Sequence, residues 1–175
     1  SGSHNMKIIF DYYHLNDIQY PCILQQFVNH GGILLKVFLI GNTDENNNHN
    51  GNNFYVVQRG SIRNFTTLTT TQPNETIAFH TKEVSSAQSC SPLNNNENSN
   101  NLIFDEKAIK DIANKIQMKF KLNLLSIDII SDCSTKQYAV IDVNYFPGYE
   151  GLNGLNERLF YLCIRLLKQQ QQKPK

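Results

Sequence analysis

The apolar positions of the chain follow two different periods. Five runs rich in β-branched and aromatic residues predict strands, at residues 22–27, 33–40, 54–59, 124–130 and 138–144. Apolar residues at spacings of three and four predict two helices. The first begins after Asp105 as its N-cap and contains Ile109, Ile112, Ile116 and Phe120. The second spans 154–168, with one face formed by Leu155, Leu159, Leu162 and Leu166.

The arrangement of these elements predicts an α+β fold. A short polar turn joins the last two predicted strands, and short turns between successive strands imply antiparallel pairing. The regular alternation of strand, helix and strand that accompanies a parallel sheet does not occur. We therefore expect an antiparallel sheet packed against helices.

Three low-complexity segments interrupt this pattern. Residues 42–53 and 94–101 are rich in asparagine, and residues 169–175 read QQQQKPK. Such segments bury too little apolar area to offset the entropy of ordering, so we expect two disordered insertions and a disordered tail. The folded domain is then predicted to span residues 1–168, and the first insertion to enlarge a hairpin tip.

Charge and composition exclude several classes of function. The formal net charge of the 175 residues is +1, which gives no bulk attraction to nucleic acid or to a membrane surface. The sequence contains no run of 18 apolar residues, so no membrane span is predicted, and its start shows no secretory signal pattern. The four cysteines form no C-x-x-C pair, so neither zinc nor a disulfide framework is expected. We predict a monomer in the reducing cytoplasm.

The last two predicted strands carry acidic side chains among apolar ones. Asp142 and Asn144 lie two residues apart in VIDVNYFPGYEG, at 140–151. If Asp128 of the preceding strand lies opposite Asp142, the period of two divides the pair of strands into two faces. The polar face carries Ser126, Asp128, Asp142 and Asn144, and the apolar face carries Ile127, Ile129, Ile141 and Val143.

Two interpretations of the polar face stay open at this point. Opposed carboxylates repel each other unless water, a proton or a cation lies between them, and oxygen ligands favour Mg²⁺. A solvated sheet face would show the same spacing. Lys36 is the one charge in ILLKVFLI, at 33–40, and burying it unpaired would be unfavourable. It therefore lies on a solvated face or meets an anion, and we favour the anion.

With its flanks, the segment at 140–151 resembles the C-terminal signature of the inositol 1,3,4-trisphosphate 5/6-kinases, which have the ATP-grasp fold. Three further blocks resemble the family in the same order: QQFVNHGGILLKVFLIG at 25–41, VVQRGSIRNF at 56–65 and SIDII at 126–130. The resemblance covers nearly all of the chain outside the asparagine-rich segments. Family members carry further sequence upstream, so the chain resembles the C-terminal part of the ATP-grasp kinase, which we expect to be inactive in isolation.

The resemblance implies roles for particular residues. The ligands of two Mg²⁺ ions would be Asp128, Asp142 and Asn144, and the catalytic residues Lys36, Asp142 and Asn144. ATP would be contacted by Gln25, Gln26, Phe27, Val28, Lys36, Arg59, Ser61, Thr81 and Ser85. The inositol phosphate would be contacted by His4, Lys36, Asn144 and Gly148. The starting segment SGSHNM could also be an expression scar, but the family has Ser-His followed one residue later by Met, which favours a native His4.

The implied activity is ATP- and Mg²⁺-dependent transfer of the γ-phosphoryl group to a free hydroxyl of an inositol polyphosphate. One alternative is an ATP-grasp carboxylate–amine ligase, which would use the same acidic strands to activate a carboxylate. Another is a fragment that binds nucleotide without catalysis. The segment FPGYEG, at 146–151, favours the kinase over the ligase.

Overall fold

The computed structural model describes residues 4–41, 53–65, 76–85, 91–94 and 102–171. The strands are β1 (Asn5–Ile8), β2 (Ile33–Ile40), β3 (Phe54–Gly60), β4 (Ile77–His80), β5 (Leu124–Ser131) and β6 (Tyr138–Asn144). The α-helices are α1 (Thr81–Ser85), α2 (Glu106–Phe120) and α3 (Leu155–Gln171), and a 3-10 helix covers Tyr12–Asp17. Apart from Asn53 and Asn94, the two expected disordered insertions and most of the expected tail lie outside the described residues. Asn94, predicted to begin the second insertion, is instead buried and forms a β-bridge with Ile62. Helix α3 includes 169–171, where the tail was predicted to begin, because glutamine continues a helix well.

Contacts divide the chain into two compact units. The first comprises Ser1–Ile33, Arg59–Asn100 and Ser131–Gln137. The second comprises Leu34–Gln58, Asn101–Ile130 and Tyr138–Lys175. Strands β1 and β4 pair antiparallel in a two-stranded sheet of the first unit, with Asn5 opposite His80.

A four-stranded sheet with the order β3-β2-β5-β6 confirms the predicted α+β class. Strands β2 and β5, which are distant in sequence, pair antiparallel at its centre, and Lys36 lies opposite Asp128. The observed bounds of β2 and β6 equal the predicted ones, and β3 and β5 each extend one residue further than predicted.

One face of the central strands forms the core of the second unit. Alternate residues of β2 and β5 are fully buried, and they pack with Ile109 and Ala113 of α2. These strand residues are Leu35, Val37, Leu39, Leu125, Ile127 and Ile129. Each such side chain contributes roughly 1.5–3 kcal/mol when it is removed from water. The period of two therefore leaves Lys36 and Asp128 on the other face of the sheet.

Helix α2 begins and ends at residues with capping geometry. The carboxylate of Asp105 accepts a hydrogen bond from the backbone N–H of Ala108 at 3.1 Å, which confirms the predicted N-cap. At the other end Lys121 has a left-handed conformation, and its N–H donates to the carbonyl of Gln117. Both caps satisfy backbone groups that the helix itself leaves unpaired.

The predicted strand at 22–27 is wrong. This segment has no sheet partner, and the side chains of Ile23 and Leu24 are 93% and 66% exposed. The segment has the composition of a strand, but no neighbouring strand is available to pair with its backbone. Strands β1 and β4 were not predicted, because four residues are too few to show a period of two. In the part of the chain that the structure describes, no helix is long and apolar enough to span a membrane.

The turn between β5 and β6 is organised by Asp132. Its carboxylate accepts hydrogen bonds from the Ser134 hydroxyl at 2.5 Å and from the N–H groups of Ser134 and Thr135. Beyond them, Lys136 has φ 61° and donates its N–H to the carbonyl of Asp132, while the N–H of Asp132 donates to Gln137. Two residues of one strand thus face one residue of the other, which is the pattern of a β-bulge.

We predict that Asp132 titrates far below an ordinary aspartate. The hydrogen bond from the Ser134 side chain, followed by the two backbone N–H bonds, lowers the pKa of Asp132 from 3.8 to about 2. Because the folded chain then binds fewer protons than the unfolded chain, this contribution to stability is present above pH 3.8 and is lost as the pH falls towards 2. Carboxyl-detected NMR titration measures the pKa directly. A Ser134→Ala variant should raise it, and an unchanged pKa in that variant would contradict the assignment of its cause.

Candidate functional site

An ion pair lies on the sheet face opposite α2. The ammonium of Lys36 donates to Asp128 Oδ1 at 2.9 Å, and the two side chains are 11% and 16% exposed. Register explains the contact, because Lys36 and Asp128 are directly opposite in β2 and β5. Lys36 therefore meets an anion, as favoured from the sequence, and the anion belongs to its own chain.

Phe38 lies beside this ion pair and is itself in contact with an aromatic ring. The Phe38 ring lies 6.0 Å from the Lys36 ammonium, and the Tyr149 ring stacks on Phe38 with centroids 5.6 Å apart. Ser126, opposite Phe38, is fully buried, and its hydroxyl has no hydrogen-bond partner among the described residues. Burial also raises the pKa of Tyr149. The face is therefore largely covered, which argues against a merely solvated sheet surface.

Asp142 and Asn144 contact each other on β6. The Asn144 Nδ2 group donates to Asp142 Oδ2 at 2.7 Å, and the N–H of Val143 donates to Asp142 Oδ1 at 2.9 Å. Asp142 is exposed and Asn144 is half-buried. Because Asn144 donates through its nitrogen, its carbonyl oxygen stays available to accept from a donor or to bind a cation.

Val143 of β6 packs against the core cluster, on the side that was predicted to be apolar. Tyr138 packs against the same cluster, although it is five residues away and a regular strand would direct it to the opposite face. Ile141 is 42% exposed, in a strand at the edge of the sheet. Because Asp142 and Asn144 flank Val143, we infer that they point away from the core, towards the side of the sheet that carries Lys36 and Asp128.

The oxygen atoms on this face fit a Mg²⁺ site in their chemistry. Asp128 and Asp142 supply carboxylates and Asn144 supplies a carboxamide oxygen, which are hard ligands of the kind that Mg²⁺ prefers. Across the described residues no group of three His, Cys, Asp or Glu side chains is placed to hold a metal. Two carboxylates and one amide therefore describe a site that would need further oxygens, such as those of a phosphate or water, to complete the coordination of a metal.

In the first unit, His4 and Thr81 are in contact. The Nδ1 atom of His4 lies 3.0 Å from the Thr81 hydroxyl, and the rings of His4 and His80 are 5.5 Å apart. Pairing of Asn5 with His80 places the starting segment beside this point of the chain. A residue predicted to contact substrate and a residue predicted to contact nucleotide are thus brought together, although they lie 77 positions apart in sequence.

Two other segments of the first unit also meet. His30 is buried and contacts the Ser61 hydroxyl at 2.9 Å, while the N–H of Ser61 donates to the carbonyl of Gly32 at 2.7 Å. Gly31 and Gly32 both have positive φ, which permits the turn that brings His30 to Ser61. The burial of His30 and its contact with Ser61 depend on a segment 31 positions away, so no local sequence pattern indicates them.

The remaining predicted residues lie on exposed or half-buried segments. Gln25, Gln26 and Phe27 are exposed and Val28 is half-buried, in the extended segment before β2. Arg59 is half-buried in β3, and Ser85 ends α1. Gly148 is exposed, and a Cβ atom placed on it would meet no atom within 4 Å.

Comparison with known proteins identifies the family. The sequence profile of the inositol 1,3,4-trisphosphate 5/6-kinase ATP-grasp domain matches residues 1–163. An inositol-tetrakisphosphate 1-kinase of Danio rerio is 39% identical over 154 residues, covering 87% of this chain and 36% of the relative. Its Xenopus laevis counterpart is 34% identical, with the same coverages. Inositol-tetrakisphosphate 1-kinase 2 of Oryza sativa is 30% identical over 88% of this chain and 41% of the relative.

The chain therefore spans well under half the length of these curated relatives. The match nevertheless runs through β1, the four-stranded sheet and most of α3, and so includes every residue of the candidate site. The profile covers more than nine-tenths of the chain, and the sheet order and the helix on its apolar face agree with an α+β domain. The chain belongs to the inositol 1,3,4-trisphosphate 5/6-kinase family and carries its ATP-grasp domain.

Proposed function

We propose that the full-length protein transfers the γ-phosphoryl group of ATP to a free hydroxyl of an inositol polyphosphate. The observations that support this proposal are the bond of Lys36 to Asp128 and the bond of Asn144 to Asp142, on neighbouring strands of one sheet. A face with two carboxylates, a carboxamide and an ammonium suits a reaction in which charged phosphates must be held and neutralised.

Some side chains of this face would bind the metal ions, and Lys36 would bind a phosphate. Asp128, Asp142 and Asn144 would hold two Mg²⁺ ions, which when bound offset negative charge on the phosphates. Lys36 carries three N–H donors, and its bond to Asp128 uses one of them. The ammonium can therefore keep its carboxylate partner and still donate to a phosphate oxygen.

The other residues are assigned to binding. Backbone groups of 25–28 would recognise the adenine edge, with Arg59, Ser61, Thr81 and Ser85 as further nucleotide contacts. His4 and Gly148 would contact the inositol phosphate together with Lys36 and Asn144. In the reaction, the bond from the β,γ-bridging oxygen to the γ-phosphorus breaks, a bond from the inositol oxygen forms, and the hydroxyl proton is released to water.

The decisive experiment incubates the full-length protein with ATP, Mg²⁺ and a panel of inositol phosphates that differ in their free hydroxyl. We expect ADP release that depends on the inositol phosphate, together with a product that has gained one phosphate. ADP release that requires an amine acceptor and a carboxylate would instead identify a ligase. Nucleotide binding without any turnover would identify a binding fragment.

Gly148 offers a test of the inositol phosphate contact that does not disturb the fold. Because a Cβ here meets no protein atom and no positive φ is required, Gly148→Ala should leave the unfolding free energy within about 0.5 kcal/mol of the wild type. If the bare backbone approaches the substrate, the added methyl should raise KM for the inositol phosphate roughly tenfold, at unchanged KM for ATP. Equal KM values for both substrates in variant and wild type would remove Gly148 from the site.

A further inference from the structure

The contact between His30 and Ser61 has a defined direction. His30 is 6% exposed, and each of its ring nitrogens has one partner. Nδ1 lies 2.8 Å from the carbonyl oxygen of Val28, and Nε2 lies 2.9 Å from the hydroxyl oxygen of Ser61. A carbonyl oxygen can only accept, so the proton of the neutral ring is on Nδ1. Nε2 is then an acceptor, and the Ser61 hydroxyl must donate to it.

The surroundings of His30 favour this neutral form. Burial lowers the pKa of His30 below 6.5, although the bond to the Val28 carbonyl acts in the opposite direction. Within the described residues, the ring contact and hydrogen bonds of His30 are with the Phe27 ring at 5.8 Å, the Val28 carbonyl and the Ser61 hydroxyl, and none of these groups carries a charge. At neutral pH the ring therefore remains an acceptor towards Ser61.

The backbone of Ser61 is fixed as well. Its N–H donates to the Gly32 carbonyl at 2.7 Å, so one segment holds both the main chain and the side chain of this serine. A hydroxyl has one proton and two lone pairs. With the proton committed to His30, the half-buried Ser61 can offer a ligand only the lone pairs of its oxygen.

Because Ser61 can only accept a hydrogen bond, it can pair only with those groups of ATP that are donors. Phosphate oxygens are acceptors at neutral pH and gain nothing from a second acceptor, whereas the ribose hydroxyls and the adenine amino group are donors. We propose that His30 is a positioning residue that holds Ser61 as a hydrogen-bond acceptor for a donor on the nucleoside part of ATP. The inference rests on the proposed function for the presence of a nucleotide, and it adds which part of the nucleotide Ser61 contacts.

The experiment measures binding by calorimetry to the full-length protein, with Mg²⁺ and without inositol phosphate. The probes are ATP, ADP and three analogues of ATP that each lack one donor: the 2′-deoxy and 3′-deoxy nucleotides and the purine nucleotide without the 6-amino group. One analogue should bind the wild type roughly fivefold more weakly than ATP, the usual effect of one hydrogen bond. Both Ser61→Ala and His30→Phe should bring that ratio close to one.

Comparing ratios separates a positioning role from a structural one. A variant that is merely loosened weakens ATP and all three analogues equally, so its ratios stay at the wild-type values, which would overturn the inference and leave the proposed function intact. A wild type that binds no nucleotide would overturn both. ADP lacks the γ-phosphate. If ADP showed the largest loss of affinity relative to ATP, and if Ser61→Ala abolished that difference, Ser61 would contact the phosphates and the inference would be rejected.

A spectroscopic measurement decides the case if His30→Phe does not fold. Long-range ¹H–¹⁵N correlation distinguishes the two tautomers of a neutral histidine ring, and His30 should show the Nδ1–H form in the wild type. Ser61→Ala should retain this form, because the Val28 carbonyl still requires a donor. An Nε2–H tautomer in the wild type would mean that Ser61 accepts from His30, and it would overturn the inference.

Discussion

An Asp142→Asn variant should lose phosphoryl transfer by roughly 10³-fold while folding normally, since a metal site contributes several kcal/mol of charge stabilisation. Asparagine keeps the shape of the side chain and one oxygen for the N–H of Val143, but it removes the negative charge. Asp142 is exposed, so its replacement should change the unfolding free energy by no more than about 0.5 kcal/mol. Turnover with ATP and the best inositol phosphate, measured beside urea denaturation, tests both statements.

The matched control is Asp111→Asn. Asp111 is an exposed carboxylate on α2, the helix that packs on the apolar face of the sheet. This change therefore removes the same charge away from the candidate site. Its turnover should equal that of the wild type. Near-normal turnover in Asp142→Asn, or an equal loss in both variants, would show that the carboxylate of β6 does not act at the reacting phosphate.

A Lys36→Met variant should lose both stability and activity. Removing the ammonium leaves Asp128 nearly buried without its counter-charge, and breaking such a pair destabilises by about 3 kcal/mol. A Lys36→Met, Asp128→Leu double variant should recover most of that loss, because an apolar pair can replace an ion pair of similar volume. Activity should not recover, because the double variant lacks both the phosphate contact and a metal ligand.

The comparison of single and double variants is the informative part of this test. Urea denaturation gives the coupling free energy between the two positions through a double-mutant cycle. Lys110→Met, at an exposed position of α2, is the control for loss of one positive charge. If Lys36→Met is as stable as Lys110→Met, the ion pair contributes little. If the double variant is active, Lys36 and Asp128 are not part of the site.

Local signals were sufficient for the elements that have a strong period or cap. Asp105 and the apolar spacing of α2 predicted that helix to within its observed bounds, because a side-chain cap and a 3.6-residue period act within a few residues. The strands β2 and β6 were predicted with their observed ends. The segment 22–27 shows the opposite case, since β propensity does not create a strand without a partner.

Non-local pairing explains what the sequence did not predict about the site. The polar side of β5 followed from the period of two, and Val143 of β6 packs against the core as predicted. The contact of Lys36 with Asp128 was not predicted, because it joins residues 92 positions apart and depends on β2 lying beside β5. The contact of His30 with Ser61 depends in the same way on two distant segments.

The central position of β2 has a consequence for the synthesis of the protein. Its neighbour on one side, β5, begins at Leu124, so an emerging polypeptide must carry Lys36 through some ninety residues of elongation before the opposing carboxylate exists. During that interval an apolar strand with a single embedded charge has one unpaired edge, which is a surface that other chains can join. Ribosome-arrested products that end before β5 should therefore be substrates for chaperones, and those that end after β6 should not.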